Sequence, residues 1–514
     1  MGKEATIWLV IAVYVVFMLL VGILNSKSSK GMAAFTVGGR NAGAWISALS
    51  YGTAYFSAVM FIGYSGGSGW DFGLWSVLVG IGNAIFGSLL AWLVLARRTR
   101  ECTRRLKIKS MPQLFEMRYN SQGMKIFSCL VIFIFLLPYS ASVYKGLTSV
   151  CSILLGIDEQ VCMIIIAIGS ALVVVLGGYI ATLKADFVQG IIMMFGVAVL
   201  LVMVICSPKV GGLSAGFSNM AQYMRGHDML PLPGNAAISL VATILMTSFG
   251  TWGLPQMVHK YYGIRDDKEV KRGIIISTFF ALLVSGGGYL IGSFSHLFFG
   301  DTLPDGGKDY IVPNMLNQSA LPDILIGVVL VLLISASVST LSSITLTACS
   351  TLSMDLVKSK LKRNMRDESV AILTRVLCLV FVVLSYVIAN SDTPILEMMS
   401  YSWGIISGSF LAPYAIALYW KGINRAGAWA GMVGGFALAS LPVIAKLFIN
   451  SWQAPFGLGA MMNQGPLFAC LAMVLSFLLC VVVSLIARRA GWKSGQQSGF
   501  FYTGTAEQWR KEHA

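Results

Sequence analysis

The chain is 514 residues long, 56% hydrophobic and only 11% charged, where ordinary soluble domains carry roughly a quarter charged residues. That composition excludes a soluble globular protein. A net charge of +15 would suggest nucleic acid only if the basic residues formed one patch, and here they are dispersed among the breaks between apolar runs. Nine cysteines without a CxxC spacing and four histidines without an i, i+3 or i, i+4 pair give no disulfide framework, zinc site or haem site.

The first apolar run, 6–25, is longer than a signal-peptide core and no small-x-small cleavage site closes it, so it is expected to remain as a span. Cutting the rest at charged and Gly/Pro/Asn-rich breaks gives twelve more segments long enough to cross a bilayer, which needs about 20 residues each. Their limits are 43–68, 73–96, 126–155, 160–182, 186–206, 236–257, 273–299, 321–354, 370–390, 394–420, 426–450 and 465–487. They lack the alternation of barrel strands, which predicts an all-α integral membrane protein of about thirteen helices.

Of the 37 Lys and Arg, all but Lys3, Lys145, Lys209, Arg225, Lys308, Arg375 and Lys446 fall in alternate loops and the C-terminal tail. The positive-inside rule then predicts an N-terminus outside and a C-terminus in the cytoplasm of a cell membrane. The runs Arg97-Arg98-x-Arg100 and Arg104-Arg105-x-Lys107-x-Lys109 read as stop-transfer and lipid-headgroup anchors. No stretch between spans exceeds about thirty residues and no GxxxxGK[ST] occurs, which excludes an ATP-driven pump or a fused catalytic module. A carrier, a channel or a transporter-like sensor remains, not an enzyme; the polar breaks cluster at one depth and the tail is too short for an output domain, which favours the carrier.

Two apolar segments are interrupted. Leu49-Ser50-Tyr51-Gly52-Thr53-Ala54-Tyr55-Phe56-Ser57 lies in the second span, and Ser248-Phe249-Gly250-Thr251-Trp252-Gly253-Leu254-Pro255-Gln256 in the seventh. Small residues also permit close helix packing, but breaks in spans five apart fit a five-helix unit repeated in inverted orientation, with ligands bound where the helices unwind. In the ninth span Ala336, Ser339 and Thr340 share one helix face. Hydroxyls there either bond to their own helix or join freed carbonyls in binding a hard cation.

Several motifs resemble the sodium:solute symporter family over about residues 6–490. They are Val37-Gly38-Gly39-Arg40, Ala48-Leu49-Ser50 with Phe61-Ile62-Gly63, Leu176-Gly177-Gly178-Tyr179 with Asp186-x-x-Gln189-Gly190, and Ser339-Thr340-Leu341-Ser342-Ser343. The resemblance implies a leucine-transporter-like fold: a leading helix and loop (1–42), a first repeat (43–206), an extracytoplasmic loop (207–235), a second repeat (236–420), two further helices (421–490) and a tail (491–514). It implies a Na⁺ site from the carbonyls of Thr53, Phe56 and Ala336 and the hydroxyls of Ser339 and Thr340. It also implies a solute site lined by Ser57, Tyr139, Ser248, Thr251 and Trp252, and an ion exit past Asp186. Members resembling the proline carrier have an aspartate where this chain has Tyr55, which leaves H⁺ coupling open; sugar-carrying members have a Glu-Gln pair where this chain has Val59-Met60.

The function so implied is Na⁺-coupled import of a small organic solute, an amino acid or carboxylate such as proline or pantothenate, by alternating access. Na⁺, the solute and membrane lipids are the expected partners, with no nucleic acid and no obligate protein partner. Two residues keep alternatives. Asp186, after Lys184 at the expected start of the sixth span, caps that helix through the dipole or lines the exit. Lys145, in an apolar span, snorkels, pairs with Glu397, or faces the outer vestibule and attracts a solute carboxylate.

Overall fold

The computed structural model describes residues 8–16, 40–319, 322–361, 365–391, 393–448 and 465–492, so most of the first expected span and of the C-terminal tail lies outside them. The described chain is helical throughout its long apolar runs. Twelve helices matter here: α1 Ala44–Tyr55, α2 Ser65–Phe72, α3 Gln122–Leu155, α4 Glu159–Ile205, α5 Gly234–Phe249, α6 Pro255–Tyr262, α7 Asp267–Ala281, α8 Asp323–Thr351, α9 Asp367–Ala389, α10 Ile395–Tyr419, α11 Arg425–Phe448 and α12 Gly465–Arg489. Among the described residues, nine helical runs are long and apolar enough to cross a membrane.

Local chemistry sets several ends. The Ser121 hydroxyl accepts from the Met124 amide to start α3, and Gly156, at φ 66°, ends it in the left-handed region where a side chain would be strained. Asp158 starts α4 by accepting from the amides of Gln160 and Val161, and Asp266 starts α7 by accepting from that of Glu269.

The helices sort by depth in the bundle. In the most apolar stretch of the run Ile324–Ser359, 67% of residues are buried inside the protein, against 28% for α9. Among the outward residues of α9 are Ile372, Val376, Val380, Val383 and Val387, an apolar stripe at helical spacing that suits lipid. Against α8 and α1 lies α4, where a Cβ on Gly190 would press into Leu49 and one on Gly196 into Leu332.

Two expectations change. Residues 183–185 form no loop: the backbone is helical from Glu159 to Ile205. Asp186 therefore sits inside a helix, and the capping reading fails. The basic run 97–105 is also turned inward more than expected of headgroup anchors. Arg100 and Arg105 are buried, and Arg100 donates to the carbonyls of Ile264 and Arg265 and to Asp267. Arg104 bonds the carbonyl of Ile264, at 3.0 Å, and that of Arg40. These guanidiniums fasten the loop before α7 to the helix Arg97–Arg105.

Candidate functional site

The site begins where α1 stops. Phe56 is extended (φ −107°, ψ 115°), and the Ser57 hydroxyl accepts from the Val59 amide as the helix restarts. In a continuous helix the amides of Ser57 and Met60 would bond the carbonyls of Thr53 and Phe56. The Met60 amide instead bonds the Ser57 carbonyl at 3.1 Å, so the break releases acceptors at mid-span.

The hydroxyl face of α8 meets this break. Thr340 Oγ1 donates within 2.9 Å of the Thr53 carbonyl and 3.0 Å of the Ala336 carbonyl. One side chain thus gathers three neutral oxygens from two different helices. The Ser339 hydroxyl, one residue earlier, donates to Asp186 Oδ1 at 2.7 Å. An oxygen-only, uncharged donor set beside a carboxylate suits a hard monovalent cation, and all of Thr53, Phe56, Ala336, Ser339 and Thr340 are buried.

Asp186 is the hub behind this cluster. Its Oδ2 accepts from Ser50 at 2.5 Å and from the Lys260 ammonium at 3.0 Å, and Lys260 also donates to Ser343 at 3.1 Å. The pair is nearly sealed, with side-chain exposures of 3% for Lys260 and 0% for Asp186. Removing either partner would strand a buried charge, a loss of about 3–5 kcal/mol.

The second break is also closed by hydroxyls. After α5 the chain makes a 3₁₀ turn, Gly250–Gly253, and an extended Leu254 before α6. The Tyr55 hydroxyl donates to the Thr247 carbonyl at 2.7 Å, Thr251 to the Ser248 carbonyl at 2.8 Å, and Ser407 to the Gly250 carbonyl. The freed acceptors here are met by the chain's own hydroxyls.

Comparison with known proteins decides what this arrangement belongs to. The sequence model of the Sodium:solute symporter family matches residues 35–435. The chain belongs to the sodium:solute symporter family. Among relatives, it is 26% identical over 487 residues to the osmoregulated proline transporter OpuE of Bacillus subtilis, covering 93% of this chain and 94% of that one. It is 28% identical over 427 residues to the high-affinity proline transporter PutP of the same organism, covering 82% and 88%. Its fold is similar to that of a Na⁺-coupled sialic acid symporter solved in a substrate-bound outward-open state, with TM-score 0.76, 18% identity, and 96% and 99% of the two chains covered. A nucleobase-cation-symport-1 family transporter in a closed conformation aligns with TM-score 0.55 and 11% identity over 92% and 98% of the chains. The protein is thus a Na⁺-coupled symporter of the leucine-transporter-like fold and not an enzyme.

In this symporter the residues expected to line the solute site divide. Ser248 Oγ donates to Asn83 Oδ1 at 3.1 Å, Trp252 Nε1 donates to the Phe86 carbonyl at 3.0 Å, and Thr251 is held within its own turn. Their polar atoms are occupied by the protein. Tyr139 instead lies buried against Trp403 of α10, rings perpendicular and 5.6 Å apart, while Tyr55 approaches the same indole at 6.2 Å and stacks on Phe56 at 4.0 Å. Tyr139 Oη and Trp403 Nε1 are buried with no hydrogen-bond partner among the described residues. Lys145 donates to the carbonyls of Ser391 and Thr393, each at 3.0 Å, just before α10.

Trp403, Asn83 and Lys260 are the contributors that sequence reasoning passed over as site residues. Asn83, whose amide donates to Ser285 and accepts from Thr247 and Ser248, had a signal: it is a bonding-capable side chain inside an apolar run. Lys260 had none, because it counts as one more basic residue of a loop.

Proposed function

We propose that the chain imports a small amino acid or related carboxylate, proline or a close analogue, with Na⁺ moving down its gradient. Na⁺ is held by the carbonyls of Thr53, Phe56 and Ala336 and the hydroxyls of Ser339 and Thr340, and leaves to the cytoplasm past Asp186. The observation that carries this reading is the bridge made by Thr340 between the Thr53 and Ala336 carbonyls. Because it spans the break of the first repeat and a helix of the second, an ion there links the two halves that must move for alternating access.

The solute class is supported by two things. The relatives named above are proline transporters, and the unspent donors of Tyr139 and Trp403 beside the aromatic wall of Tyr55 and Phe56 suit a carboxylate attached to a compact apolar body. With the basic loops in the cytoplasm of the cell membrane, inward Na⁺ movement also gains about 2.3 kcal/mol per charge for each 100 mV of potential.

The test is Na⁺-dependent uptake of labelled proline by purified protein in proteoliposomes, with pantothenate and prolinamide as competitors. Ser339→Ala and Thr340→Ala should each raise the half-saturating Na⁺ concentration about tenfold or more, equivalent to about 1.4 kcal/mol, with transport recovering at high Na⁺. Unchanged Na⁺ dependence in both variants overturns the ion site. Competition by prolinamide equal to that by proline overturns the carboxylate.

A further inference from the structure

We propose that Lys260 is a tethered cation that fills a second cation position beside the Na⁺ site, so that this symporter binds one Na⁺ where the same oxygen cluster without the lysine would bind two. This rests on the Na⁺ site described above and adds to it the ion count and the residue that sets it.

The cluster is built as a cation site independently of its occupant. One carboxylate and three hydroxyls, those of Asp186, Ser50, Ser339 and Ser343, converge from α4, α1 and α8, all buried. Ser50 and Ser339 lie 2.5 Å and 2.7 Å from the two carboxylate oxygens. The Lys260 ammonium enters from α6 and is 3.0 Å from Asp186 Oδ2 and 3.1 Å from Ser343 Oγ. A buried carboxylate with oxygen neighbours demands a positive charge, and either a hard monovalent ion or an ammonium satisfies it with the same ligands. Here the chain supplies the charge.

The position of this ammonium gives it a part in coupling. Ser339 offers its oxygen to the Na⁺ site and its proton to Asp186, so the two cation positions share one serine. Lys260 is carried on α6, the short helix directly after the second break, whereas the Na⁺ ligands come from the first break and α8. Movement of α6 would withdraw the ammonium from Asp186, and a carboxylate left without its cation draws Na⁺ out of the adjoining site. Behind the ammonium a cleft lined by Thr182, Gln256, His259, Ser343, Thr347 and Ser350 opens between α6 and α8, and both amide atoms of Gln256 are buried without a hydrogen-bond partner among the described residues. That cleft, which Leu346 also lines, is the way out for the ion once the pair separates.

The experiment is equilibrium binding of radioactive Na⁺ to the purified full chain, with thermal unfolding followed in parallel to establish that each variant is folded. Wild type should bind one Na⁺ per protein, and Lys260→Gln should bind two, the second occupying the cluster vacated by the ammonium. In Lys260→Gln/Asp186→Asn, where the buried cluster is neutral, the count should return to one. Two ions in wild type, one in a folded Lys260→Gln, or none in the double variant each overturn the proposal. Should Lys260→Gln not fold, two ions in wild type or none in the double variant still overturn it. Absence of Na⁺ binding in wild type defeats the underlying site reading, and the tethered-cation reading with it.

Discussion

A single ammonium near the end of a membrane helix can be bound by lipid, by an acid or by backbone, and Lys145 shows why the partner matters. Its two bonds go to the carbonyls of Ser391 and Thr393, while Asp309 accepts from the Ile395 amide at 3.1 Å. The side chain therefore ties α3 to the entry of α10, the helix that carries Trp403. Lys145→Met should lower the stability of the purified protein by about 1.5–3 kcal/mol, the range for hydrogen bonds to a charged group, and leave the ratio of affinities for proline and prolinamide unchanged. Thermal unfolding and competition binding check this, and a selective loss of the acid would restore Lys145 to solute recognition. The sequence showed that Lys145 needed a partner, since an ammonium in an apolar run is costly, but backbone carbonyls leave no mark in a sequence. The pairing of Asp186 with Lys260 was hidden for the opposite reason: each residue has an obvious local explanation, a helix start and a basic loop, and the pair spans 74 residues of chain. That Ala336, Ser339 and Thr340 share one face was legible because a face at i, i+3 and i+4 needs only one helix to define it.

At the scale of elements, composition located the long apolar runs well and their joints badly. The joint expected at 183–185 is built from helical backbone and not from a loop, with Lys184 exposed and Asp186 wholly buried. Glycines report joints of another kind, between helices. A Cβ on Gly69 of α2 would meet the backbone of Gly292 and Ser293, and one on Gly292 would meet the backbone of Ser65, so α2 and the helix Gly287–Ser293 run in direct backbone contact. Across the same interface Ser65 Oγ donates to the Gly288 carbonyl at 2.5 Å. Such contact is the usual use of small residues between membrane helices. Gly69→Val should destabilise the protein by about 1–3 kcal/mol or more, the range for overpacking, whereas Gly67→Ala, whose Cβ would come no closer than 4.0 Å to the Lys308 side chain, should be nearly silent. Thermal unfolding of the two variants in one detergent makes the comparison, and equal effects would mean that the close approach is not what Gly69 is for.

The whole molecule adds a constraint that neither residues nor helices carry, because alternating access has meaning only if the halves face known compartments. Helix α4 begins at Glu159, which accepts a hydrogen bond from Tyr310, and just past its end Gly216 packs on Phe294. Tyr310 closely follows Lys308, which is paired with Asp71, and Phe294 lies two residues before His296, whose ring bonds the Trp70 carbonyl at 2.9 Å. Both ends of α4 therefore lie with residues 70–71 at one end of the bundle. Asp186, between them, lies with Lys260 and the basic loops at the other, so the chain reverses direction within the helical run Glu159–Ile205 and crosses the bundle twice. The positive-inside rule predicts the basic end in the cytoplasm, which would place Cys206 outside. That thiol is exposed, whereas every other cysteine except the half-buried Cys470 is buried, so it offers a single reporter in the native sequence. A membrane-impermeant maleimide should label intact cells at Cys206, and Cys206→Ser should abolish the labelling. Labelling of Cys206 only after the membrane is opened would invert the orientation, direct the Asp186 exit outward, and turn the proposed importer into an exporter.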